Sequence, residues 1–178
     1  MSIWSLILGL VSIVVLIIGI TKILKSFTAH NRTLMPLIED DAVFDGARSY
    51  QPIIRKLIKN VFGEEPDNLS EDFIGLCRAH FLLGVCDYFS QRDHMNDIQF
   101  AKFFFAMALT YQPSYFLQEH TDKALEALKE DNPDAAPWMP FVRLGGQTAM
   151  KFSHTDEDAL FLVKITFNRL INETKNMN

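Results

Sequence analysis

The sequence predicts an all-α chain, on three observations. Residues 3–20 form an unbroken apolar run without a charge or a proline. Beyond that run, apolar residues recur at three- and four-residue spacing, the period of a helix. No segment sustains the strict apolar–polar alternation of a half-buried strand. The expected architecture is a single N-terminal transmembrane helix followed by a compact helical domain of about five or six helices. On this reading residues 1–25 are an anchor, 26–46 a juxtamembrane connector and 47–178 a cytoplasmic domain.

The first element rests on length. A helix rises about 1.5 Å per residue, so roughly 20 apolar residues cross a hydrocarbon core of about 30 Å. Ile3, Trp4, Leu8, Val14, Ile18 and Leu24 are the membrane-spanning positions of this reading. A cleaved secretory signal fits poorly. It needs a basic start, a shorter apolar core and a small-residue cleavage site, and Phe27 stands where a small residue is needed. Lys22 and Lys25 follow the run, so the positive-inside rule expects the N-terminus outside and the domain at the inner face of the plasma membrane.

The next elements follow from caps and periodicity. Gln51–Phe62 is an amphipathic helix, with Pro52 in its first turn and Gly63 at its stop. Ile54, Leu57, Ile58, Val61 and Phe62 form its apolar face, and Arg48, Arg55, Lys56 and Lys59 its basic one. Ser70 opens a helix running to about Phe89, with acids in its first turn. Gln91–Asp97 is a polar loop. Ile98–Tyr111, rich in Phe, is expected to be the central helix of the domain, with Phe104 or Phe105 facing inward. A helix over Tyr115–Lys129, a proline-rich connector and a weaker helix over Phe141–Phe152, softened by Gly145 and Gly146, come next. Thr155 and Asp158 form a capping box before a last helix, on which Leu160, Val163, Phe167, Leu170 and Ile171 share a face.

Composition narrows the function classes. Setting Lys22 and Lys25 aside leaves fifteen basic against twenty-two acidic residues, a net charge of −7. Such a domain is a poor general nucleic-acid binder, because neutralising phosphates needs clustered Lys and Arg. Arg48, Arg55, Lys56 and Lys59, with Lys22 and Lys25, are the candidate positions for lipid headgroups or a small anionic ligand. The two cysteines, Cys77 and Cys86, lie nine apart on one helix and so on opposite sides of it, which fits free thiols.

Ala101, Phe105, Ala108 and Pro113 resemble the second helix of a tetratricopeptide repeat, and Leu83, Gly84 and Tyr88 its first helix, with His80 where that family has Trp. The resemblance covers about 35 residues in one repeat and implies a peptide-binding or adaptor surface.

No catalytic set emerges. The sequence has no glycine-rich phosphate loop, no G-x-S-x-G and no H-E-x-x-H. Cys77 and His80 share a helix face but lack a second closely spaced ligand pair, so no metal and no cofactor is expected. His94, His120 and His154 are the other candidate histidines, and Asp87, Arg92, Asp93, His94 and Asp97 cluster around one loop. The expectation is therefore not an enzyme but a membrane-anchored helical adaptor. Its partners would be membrane lipid and a protein, a second copy of the chain included. The alternative is an oligomeric membrane effector whose domain senses a ligand, similar in layout to small effectors of bacterial antiviral signalling that respond to cyclic nucleotides.

Overall fold

The computed structural model of the chain describes residues 40–63, 72–111, 115–128, 135–152 and 157–176, and all of them belong to one unit, Ile38–Asn178. Among the described residues there are six helices and no strand. They are α1 (Asp41–Phe62), α2 (Asp72–Arg92), α3 (Asp97–Tyr111), α4 (Gln118–Glu126), α5 (Met139–Phe152) and α6 (Glu157–Lys175).

The membrane-spanning expectation is corrected. No helix among the described residues is long and apolar enough to cross a membrane. The reason is charge: α1, at 22 residues, carries Asp41, Asp45, Arg48, Arg55, Lys56 and Lys59, and α2 carries Asp72, Arg78, Asp87 and Arg92. Ile3, Trp4, Leu8, Val14, Ile18 and Leu24, and with them Lys22 and Lys25, lie outside the described residues. A single-pass protein at the inner membrane, with its N-terminus outside and a cytoplasmic domain, is thus not supported.

Helix α1 begins ten residues before its expected start. The Asp40 carboxylate accepts from the Ala42 N–H at 3.1 Å, a side-chain N-cap. Gln99 Nε2 donates to the other Asp40 oxygen at 3.0 Å, and this bond, with the backbone donors, holds the Asp40 carboxyl below the usual range. Pro52 therefore sits mid-helix. It deprives the Arg48 carbonyl of a donor, but both residues are exposed and water can replace it. Gly63, at φ +93°, closes α1 by donating its N–H to the Lys59 carbonyl.

The central helix is α2, not α3. It packs against α1, α3, α4 and most extensively α5. Cys77, Ala79, His80, Phe81, Leu82, Leu83, Val85, Cys86 and Phe89 are all buried, so α2 has little wet face. The α2–α5 crossing is close because two glycines face it. A Cβ on Gly84 would land on the Val142 carbonyl oxygen, and one on Gly145 on the Phe81 carbonyl oxygen. Helix α3 buries Phe103 and Phe104, while Phe105 is half-buried.

Four helices meet at one aromatic cluster. Phe167 of α6 lies 5.1 Å from Phe62 of α1, 5.6 Å from Phe81 of α2 and 5.5 Å from Phe141 of α5, centroid to centroid. These separations suit edge-to-face and tilted ring contacts. Phe167 thus fastens α6 onto α1 and α5, against which it packs.

Candidate functional site

Helix α6 has two apolar faces. The inner one is the face expected from the sequence: Leu160, Val163 and Phe167 are buried, with Leu170 and Ile171 half-buried beside them. The outer one is formed by Phe161, Leu162 and Ile165, which are 67, 64 and 50% exposed. At 100° per residue these three lie on the side of the helix opposite the buried set. The backbone beneath them is regular, and Thr166 Oγ1 donates to the Leu162 carbonyl at 2.9 Å. One turn further on, Arg169 pairs with Glu173 at 3.6 Å, both well exposed.

The outer face is exceptional among the described residues. Ile98, Leu117, Leu128 and Met150 are also exposed, but they are scattered over other parts of the chain. Single exposed apolar residues are ordinary, whereas a contiguous group marks a contact surface. Burying each such side chain fully gains roughly 1.5–3 kcal/mol. A cover for this face therefore has a driving force that the bundle itself leaves unused. Amphipathic spacing reports the inner face alone. The signal for the outer one was present, in three large apolar residues at i, i+1 and i+4 on the polar side of an amphipathic helix.

A second cluster joins α2 to α4. His120, 1% exposed, points Nε2 toward Asp72 Oδ1 at 3.7 Å and Glu119 Oε1 at 3.9 Å. The three groups lie close enough together to suggest a cation site. The imidazole's other nitrogen argues against one. His120 Nδ1 accepts from the Leu117 N–H at 3.0 Å, so in the neutral ring the proton resides on Nε2. A protonated Nε2 has no lone pair to offer a metal. The ring instead caps the start of α4 and packs over Gly75, where a Cβ would strike it. Burial lowers the His120 pKa, against the opposing pull of Glu119 and Asp72.

The positions singled out by sequence lie on α1, on α2 and around the α2–α3 turn. Arg48, Arg55, Lys56 and Lys59 are all exposed on α1, as its polar face requires. Lys56 also lies over the Phe152 ring at 5.4 Å. Within the loop cluster, the Tyr50 hydroxyl donates to Asp93 at 2.7 Å and Arg92 lies over the Tyr50 ring. Burial and Asp93 push the Tyr50 phenol up to about 12. His94 takes the left-handed conformation of the turn, at φ +55°. Cys77 and Cys86 are free and buried, and burial pushes the Cys77 thiol up to about 12. His80 donates from Nδ1 to the Leu76 carbonyl at 2.8 Å and stacks on Trp138, centroids 5.0 Å apart. His154 and Pro113 lie outside the described residues.

Comparison with family models, with curated proteins and with solved structures gives no match.

Proposed function

We propose that this helical domain is a protein-interaction module, an adaptor that docks a partner on the outward face of α6. One observation carries the reading: Phe161, Leu162 and Ile165 form a contiguous apolar group on a helix whose other face already fills the core. A helix presenting such anchors at i, i+1 and i+4 meets the geometry of helix-in-groove or helix-on-helix recognition. Large apolar side chains at the centre of a patch with a polar rim are where binding energy concentrates. Here the rim includes Lys164, Arg169 and Glu173. The domain's net negative charge disfavours nucleic acid as the partner.

Site-specific photo-crosslinking tests this. A photoreactive side chain replaces Ile165 in the full chain, and a control chain carries it at Asn60, an exposed polar position on α1. The expected result is a discrete protein adduct from position 165 and none from position 60. No adduct at 165, or the same adducts at both positions, would contradict the reading.

A further inference from the structure

We infer that His120 is a proton-operated latch on the first turn of α4: the neutral ring holds the turn closed and the imidazolium releases it. The inference is independent of the outward face of α6. It rests on the two sides of one buried ring.

On one side, Nδ1 accepts from the Leu117 N–H at 3.0 Å. Leu117 is the N-cap residue of α4, and its aliphatic side chain offers the turn no oxygen. The ring takes the part that a Glu or Gln three residues into a helix plays in a capping box. On the other side, Nε2 is buried and has no hydrogen-bond partner. Asp72 Oδ1 and Glu119 Oε1 stand beyond hydrogen-bond reach, at 3.7 and 3.9 Å. The ring thus makes one of its two bonds, and the one it makes needs a bare Nδ1.

A proton has one place to go. Nε2 already carries the hydrogen of the neutral ring, so protonation adds one at Nδ1. Two donors then face each other, and the Leu117 N–H loses its acceptor. The ring cannot retreat toward α2, because it fills the space beside Gly75, where a Cβ would strike its Nδ1 and Cε1. It leaves toward the exposed carboxylates of Asp72 and Glu119, which accept from Nε2–H. The two states exchange one hydrogen bond for another: a neutral ring on Leu117, a charged ring on a carboxylate.

The charges that act on the ring are Asp72 of α2 and Glu119 and Lys123 of α4. Helix α3 also packs against α4 and carries Asp97 and Lys102, neither of which is among them. Burial outweighs the two carboxylates, so the folded chain takes this proton below the ordinary histidine value of about 6.5. The latch is closed above that value and opens as pH falls through the lowered one. Opening is local. Arg78 Nη1 donates to the Tyr115 carbonyl at 3.3 Å and the Tyr115 hydroxyl to the Gly63 carbonyl at 2.9 Å, and neither bond involves the imidazole.

An NMR titration of the isotope-labelled full chain, from about pH 8 to about pH 5, tests the latch. At the upper end the His120 ring should carry its proton on Nε2. As pH falls, the Leu117 amide should shift toward the position of an unbonded amide, with the same midpoint as the His120 ring. The Ala127 amide, bonded to the Lys123 carbonyl at the far end of α4, should stay in place. Asp72→Asn should move the midpoint to lower pH, because it removes a charge that favours the imidazolium. His120→Gln should hold the Leu117 amide in its bonded position at every pH, since an amide oxygen accepts without titrating. A neutral ring protonated on Nδ1 would overturn the inference. So would a Leu117 amide that ignores the His120 midpoint, or one that still titrates in a folded His120→Gln chain. An Asp72→Asn midpoint equal to or above that of wild type would overturn it too. An Ala127 amide moving in step with Leu117 would do the same, because it marks loss of the whole helix rather than release of one turn.

Discussion

Phe161 and Phe167 lie six residues apart on α6, and their environments give opposite expectations. Phe167 is 2% exposed and touches aromatic rings from three other helices. Its truncation to Ala should cost about 3–5 kcal/mol, as for other buried aromatic residues. Phe161→Ala should stay within about 0.5 kcal/mol of wild type, because no core is disturbed. Urea midpoints at a dilution that keeps the chain monomeric check the pair. Equal losses in both would mean that the outer face is packed rather than free. Two histidines supply a pH expectation. Burial lowers the pKa of both His80 and His120 in the fold. The unfolded chain then binds more protons than the folded one as pH falls through the ordinary histidine value of about 6.5. Stability is thus fully present above that value and declines below it, before the carboxylates begin to titrate. A chain with His80→Gln and His120→Gln should show a flatter stability curve between about pH 6.5 and 5. An unchanged slope would assign the acid sensitivity elsewhere.

At the scale of elements, the α2–α5 crossing decides how the bundle closes. Gly145→Ala drives a methyl group into the Phe81 carbonyl, which belongs to a helix backbone and cannot rotate aside. The expected loss is at or above the roughly 1–3 kcal/mol typical of overpacking. Gly146→Ala meets nothing closer than the Gly84 carbonyl oxygen at 3.4 Å. It should be neutral or stabilising, since Ala exceeds Gly in helix propensity by up to about 1 kcal/mol. Thermal unfolding of the two variants separates these outcomes, and equal destabilisation would refute the close crossing.

The same elements show what could be read from sequence. The inner faces of α1 and α6 were legible, because amphipathic spacing is a local signal. The cap of α3 is equally local: Asn96, at the end of the expected polar loop, and Gln99, in the helix that follows, accept from each other's backbone N–H groups at 3.0 Å. The start of α1 is obscured by Pro52, which resembles a first-turn proline, whereas Asp40 caps the helix twelve residues before it. The central role of α2 was not legible. Its interior uses Gly75, Ala79 and Gly84 beside Leu and Phe, so its side chains look less apolar than those of α3. Closeness to α5 depends on residues about 60 positions away, at Val142 and Gly145, and no periodicity reports such a contact. The hydropathy of residues 3–20 was plain, but the described helices contain no membrane-crossing element to bear out the membrane-bound reading.

At the scale of the whole molecule, α1, α3, α4 and α5 pack around α2, α6 joins them through the Phe62–Phe81–Phe141–Phe167 cluster, and α6 presents apolar residues on both sides. The inner side stabilises the fold and the outer side is available for association, so a polar change on the outer side should separate the two. The most direct test is the yield of crosslinked adduct from position 165 with and without Leu162→Asp, measured alongside the melting temperature of each chain. The interaction-module reading predicts that Leu162→Asp removes most of the adduct and leaves the melting temperature unchanged. Adduct formation that persists in a folded Leu162→Asp chain would contradict it.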